Sequence, residues 1–157
     1  MTATAHALVS GAIAASIPNP ALSIPLSFVS HLVMDTVPHW DVGTNWRNRS
    51  KSKTGAVAIV DTILGFSLAY FMFSGKVEGA ILFFAMIAGN LPDWLEAPWY
   101  IFFAHPKKSE PAKNAGFSER LAYAIYKTEN VFHAKARAPF GILTQIATVG
   151  FFLLLLS

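Results

Sequence analysis

Apolar residues along this chain gather into five runs, and none shows the period of two that a half-buried strand requires. The runs cover 3–17, 21–37, 54–73, 77–91 and 138–156. Proline punctuates them: Pro18 and Pro20 part the first two, Pro38 follows the second and Pro92 the fourth. The third run has about 20 residues, enough to cross a hydrocarbon core at 1.5 Å per residue. The first reaches only about 22 Å on the same rise, so it crosses thinly or packs partly re-entrant against its neighbours. Residues 94–104 are aromatic and apolar but contain Glu96 and Pro98, which predicts an interfacial or re-entrant piece. Residues 105–116 are polar and contain prolines, which predicts a loop. Ser118 can then cap a helix with Glu119 in its first turn. On that helix, over 118–137, Phe117, Leu121, Ile125 and Phe132 form one side. Tyr126, Asn130, His133 and Arg137 form another, which predicts a helix lying along a membrane surface. The expected fold is all-α: a polytopic membrane helix bundle of four to five transmembrane helices plus this interfacial helix, in one domain over 1–157.

Composition strengthens the membrane reading. Of the 157 residues 54% are hydrophobic and 13% charged, against about 25% charged in a typical soluble domain. Mean hydropathy is +0.44. Cysteine is absent, which excludes disulfides, thiolate nucleophiles and sulfur ligands. A metal here would need nitrogen and oxygen donors. The beginning, Met-Thr-Ala-Thr-Ala-His, lacks the basic stretch of a signal peptide.

Charge placement predicts orientation. Eleven of the twelve Lys and Arg residues fall in two connections. Arg47, Arg49, Lys51 and Lys53 lie between runs two and three; Lys107, Lys108, Lys113, Arg120, Lys127, Lys135 and Arg137 lie between runs four and five. Basic loops stay cytoplasmic. The N-terminus is then cytoplasmic and the C-terminus outside, in the cytoplasmic (inner) membrane, with Trp40, Trp46, Trp94 and Trp99 as an aromatic belt near the same face. The net charge of +3 suits anionic lipid headgroups, and no nucleic-acid partner is expected.

Ionisable residues inside membrane helices are costly and mark function by default. His6 opens the first run; His31 and Asp35 close the second, followed by His39 and Asp41; Asp61 lies in the third; Asn90, Asp93 and Glu96 end the fourth; His133 precedes the fifth. On the topology above, all fall near one end of the bundle. His31 and Asp35, four apart, share a helix face. A catalytic zinc needs about three protein ligands and an open water position. His6, His31, Asp35, Asp61, Asp93 and His133 are the expected metal donors, for one or two divalent ions with zinc favoured. Asp35 or Asp61 could bridge two ions about 3.5–4 Å apart. Asp35, Asp61 and His133 are the expected catalytic groups, with Lys135 and Arg137 for a substrate phosphate. His39, Asp41, Asn90 and Glu96 are expected to support the donors. Plainer readings stand beside these: His6 bonding a backbone carbonyl, His39 and Asp41 finishing a helix, Asp93 capping one, Glu96 at the interface, His105 solvated.

These residues resemble a known pattern. Thr4-Ala5-His6, then Ser30-His31 with Asp35, Pro38-His39-Trp40-Asp41 and Leu91-Pro92-Asp93 are similar to the YdjM-like family of small integral-membrane proteins, predicted metal-dependent hydrolases. The likeness covers most of the first hundred residues. Where that family often has a His-Arg-Gly-x-Thr-His-Ser block, this chain has Asn130 to Arg137 with the single His133. The spacing of His31 and Asp35 is also similar to that in zinc-dependent phospholipase C and related nucleases, which implies phosphoester chemistry. The expected function is a membrane-embedded metal-dependent hydrolase acting on a phosphoester, lipid or small molecule, at cytoplasmic headgroup level. The rivals are a divalent-cation or proton-coupled transporter, disfavoured by apolar outer halves at 64–73, 77–88 and 146–156, and a non-catalytic membrane scaffold. Reporter fusions at Arg49 and Ser157 should report opposite sides of the membrane; same-side signals would overturn the orientation.

Overall fold

The structure, a computed structural model, describes residues 1–41, 50–104 and 110–157. Trp46, Arg47, Arg49, His105, Lys107 and Lys108 lie outside the described residues. Among the described residues six α-helices follow one another: α1 (Ala3–Ser16), α2 (Pro20–Asp35), α3 (Lys51–Phe73), α4 (Gly79–Pro98), α5 (Phe117–Phe132) and α6 (Phe140–Leu155). Among the described residues there is no strand beyond one isolated bridge, between His39 and Lys135.

Local chemistry accounts for most boundaries. The side chains of Thr2, Asn19 and Ser50 cap α1, α2 and α3 by accepting from backbone amides of the first turn. Pro20 sits at the start of α2, where a missing N–H costs nothing. Ser118 does not cap α5; Gly116 takes that position without a side-chain bond. The fourth run does not close at Pro92. α4 passes through Pro92 and Pro98 and continues as a π-helical turn, Trp99–Phe103, with the Ala104 amide donating to the Trp99 carbonyl at 2.7 Å. Residues 94–104 thus extend a helix rather than lie apart from it.

Among the described residues two stretches can cross a membrane by length and apolar content, Lys51–Phe73 and Gly79–Phe103; α1 and α6 are apolar but shorter. α3 exposes Val57, Ile59, Val60, Ile63 and Leu64 along its flank. α1 is alanine-rich and nearly all buried. It packs against α2, α3, α4 and α6, while α2 packs on α4 and α5 on α4.

Small residues permit these close approaches. A Cβ at Gly65 of α3 would lie 2.6 Å from the Thr4 Cα and 2.9 Å from its amide nitrogen. At Gly89 of α4 it would meet Ser10 Oγ at 1.9 Å. Backbone bonds then stitch the segment after α5 onto the end of α2. Ala134 N donates to the Asp35 carbonyl (2.8 Å), His39 N to the Ala134 carbonyl (2.9 Å) and Ala136 N to the His39 carbonyl (2.7 Å).

Gly65→Ala should lower the melting temperature in detergent, by an amount equivalent to about 1–3 kcal/mol, because the obstructing atoms are backbone. Gly55→Ala has nothing within 4 Å of the new Cβ. It should leave stability unchanged or raise it by up to about 1 kcal/mol.

Candidate metal centre

The capped start of α1 places His6 one turn into that helix. There its ring stacks on His31 of α2, with centroids 3.8 Å apart. The end of α2 supplies Asp35, and the chain then turns through Pro38 to deliver His39. Two donor groups result, each with ligand atoms within 4.8 Å of one another: His6, His31 and Asp93; and Asp35, His39 and His133. All but Asp93 and His133 are buried.

Asp35 stands between the groups. Its Oδ1 lies 3.2 Å from His6 Nε2 and 3.7 Å from His39 Nε2. Its Oδ2 lies 3.5 Å from His31 Nε2 and 3.7 Å from His133 Nδ1. His31 Nε2 is also 3.8 Å from Asp93 Oδ1. Donors around one tetrahedral zinc at 2.0–2.1 Å stand about 3.3 Å apart, so these spacings suit ion binding. The amino group of Met1 also pairs with Asp35 Oδ1.

Backbone carbonyls orient two of the rings. His31 Nδ1 lies 2.7 Å from the Gly89 carbonyl, and His39 Nδ1 lies 2.7 Å from the Val37 carbonyl. A carbonyl only accepts, so each Nδ1 holds the proton. The neutral ring then presents the Nε2 lone pair to the centre, the usual support for a metal-ligating imidazole.

The second group has a further acid beside it. His133 Nε2 lies 2.6 Å from Asp41 Oδ2 and 2.8 Å from His39 Nε2. Burial alone would raise the Asp41 carboxyl; the hydrogen bond from His133, with His39 close by and the charge of Lys135, outweighs it and holds Asp41 well below the usual carboxylate range. Burial lowers the His133 imidazole, against the pull of Asp41. His39, expected only as a support, therefore stands among the donors, and Asp41 lies against His133 beside them.

Other expected residues are placed differently. The Asp61 carboxylate accepts from Ala3 N (2.7 Å), Thr4 N (3.3 Å) and Thr4 Oγ1 (2.7 Å). It holds the unpaired amides at the start of α1, which favour a negative charge. It belongs to neither donor group, and anchors the start of the helix that bears His6. Gln145 of α6 grips Thr2 from the other side. Lys135 Nζ lies 3.9 Å from Asp41 Oδ2. Arg137 is exposed and in neither group. Asn90 is buried and folds its amide back on the Met86 carbonyl. Glu96 is buried, its Oε2 without a hydrogen-bond partner, with Asp93, Lys135, Asp41 and Glu129 as nearby charges. Trp99 is 1% exposed and packs on Phe103, Tyr123 and Tyr126. It holds α5 to α4 and is no part of a lipid-facing belt.

Sequence reasoning missed Glu129, a half-buried carboxylate of α5 within electrostatic reach of His31, Asp93 and Asp35. Its spacing of four from His133 was the available signal. It also missed the buried Ser23, Ser27 and Ser30, at helical spacing on α2.

Comparison with protein-family models, with curated proteins and with solved structures gives no match.

If Asp61 anchors α1, Asp61→Ala should destabilise the fold by about 1–3 kcal/mol, since several donors lose their acceptor. Asp61→Asn keeps an oxygen acceptor and should recover part of the loss. It should bind metal as the wild type does, whereas a metal ligand would not tolerate the change. Thermal melts and elemental analysis of the two variants check this.

Proposed function

We propose that this chain is an integral membrane hydrolase that holds two divalent ions, zinc favoured, on either side of Asp35, and acts on phosphoesters. One observation carries the reading: a single buried carboxylate lies 3.2–3.7 Å from four imidazoles that divide between two donor groups. His6, His31 and Asp93 would hold one ion, and His39, His133 and Asp41 the other, with Asp35 shared. Bound there, such ions lower the pKa of a water ligand toward about 7 and polarise a phosphoryl oxygen. The chain's own groups do the rest. Gly89 and Val37 hold two rings in the ligating tautomer, and burial excludes bulk water. Asp35, Asp41 and Asp93 set three negative charges against two doubly charged ions and the Met1 amino group, which leaves a site attractive to an anion. Lys135, beside Asp41, extends that attraction toward the surface; Arg137 is the second cation available to a phosphate.

In this reading α3 and α4 cross the membrane, with α1, α2 and α6 bringing the spans to five. α5 lies at the cytoplasmic interface of the inner membrane. The resemblance to the YdjM-like family points the same way.

A second reading, a cation or proton carrier, has one observation behind it. Ser23, Ser27 and Ser30 are buried along α2, and the hydroxyls of Ser10 and Ser27 lack hydrogen-bond partners. They trace a polar line from the start of α2 toward His31. Small hydroxyl residues also pack membrane helices closely, and the neighbouring core of Ala12, Ala14, Ala69, Phe73, Leu82 and Met86 is apolar. The hydrolase therefore stands first.

Elemental analysis of detergent-purified protein should find two ions per chain. His31→Ala and His39→Ala should each lose about one, Asp35→Asn should lose both or leave one weakly held, and phosphoesterase activity should fall with them. A change at Glu110 should do neither. Protein free of bound metal under metal-replete conditions would leave a scaffold as the better account.

A further inference from the structure

Resting on the hydrolase reading above, we propose that the substrate is a lipid-borne phosphoester that reaches the centre sideways from the bilayer, beneath α5. Three observations bear on it, beginning with depth. Asp61, which binds the first turn of α1, is eight residues beyond Lys53 on α3, or about 12 Å along that helix. His6 lies one turn further along α1. The centre is therefore level with apolar α3 surface, below the last basic residues of that helix, rather than in a water-facing mouth. A fully solvated phosphate would have to leave water to come this far. A lipid keeps its apolar part in hydrocarbon while its phosphate moves inward.

The second observation is the opening. The side chains of His6, His31, Asp35, His39, Asp41 and His133 are nearly closed off, whereas that of Asp93 is 27% exposed. The next residue on α4, Trp94, is 39% exposed. The accessible group of the centre is thus followed on α4 by an exposed aromatic ring that stacks on Phe66 of the apolar α3 surface.

The third is the two-sidedness of α5. One face brings Ala122, Glu129 and His133 to the protein. The other leaves Phe117 (81%), Leu121 (48%), Val131 (75%) and Phe132 (40%) uncovered. Arg120 and Lys127 flank that bare face, and Phe140, Leu143 and Ile146 at the start of α6 are likewise exposed. Apolar residues edged by basic ones suit the headgroup and acyl boundary of an anionic bilayer. The same helix that delivers His133 would then fix the centre against the lipid it draws from.

The test uses metal-replete full-length protein with two probes: phosphatidic acid at a low mole fraction in phosphatidylcholine vesicles, and sn-glycerol 3-phosphate in water. Phosphate release should favour the lipid by at least about tenfold at equal bulk phosphoester. In Phe117→Asp and Leu121→Asp, that ratio should fall by about tenfold as the apolar anchor is lost. Bound metal and helical circular dichroism show whether each variant is folded. Equal rates on the two probes, or a ratio unmoved in both folded variants, would overturn lateral lipid delivery and leave the hydrolase standing. Turnover of neither probe by protein that holds two ions would overturn both.

Discussion

The Asp35 carboxylate has four imidazoles around it in a nearly closed space, and the rest of the structure is arranged to make that possible. A lone carboxylate buried this deeply would cost several kcal/mol, and partners or a metal must offset it. The partners come from α1, from α2 itself, from the turn after α2 and from the end of α5. Each of those segments must therefore be held in register with Asp35 to within a side-chain length. The fold is less a bundle that happens to contain polar groups than a means of bringing them to one acid.

Two devices achieve the register. One is close helix contact at small residues, since α1 can lie on α3 and α4 only where Gly65 and Gly89 remove a Cβ. The other is polar anchoring of chain that would otherwise fray. Asp61 and Gln145 grip the first residues of α1, and backbone bonds from 134 to 136 tie the end of α5 to the end of α2. Both devices act at the level of the centre, which makes the packing and the chemistry hard to separate by mutation at Asp35 alone.

The continuation of α4 has a consequence for access. Because the helix runs on through Pro92 to Phe103, it stands beyond the level of Asp93 and gives α5 a wall to pack on, through Trp99 against Tyr123 and Tyr126. α5 therefore covers the donors, and the centre is left open chiefly at Asp93.

The helical character, the membrane-length apolar stretches and most of the donors could be read from the sequence, because each depends on local information. Apolar runs, prolines and caps act over a few residues, and a His or Asp in an apolar helix is conspicuous wherever it ends up. His31 and Asp35 could even be paired, since four residues is one helical turn. What the sequence could not determine was which distant groups meet. Asp61 looked like a ligand because nothing near it in sequence answers its charge; its partner is the start of α1, far away along the chain. His39 and Asp41 read as supports of the donors or as a helix end, and only the backbone pairing with 134–136 brings them onto His133. Pro92 looked like a terminator, yet the helix passes through it because packing on α1, α2 and α5 outweighs one missing hydrogen bond. Local propensity sets which elements form, while the meeting of side chains depends on contacts between helices that no short window of sequence contains.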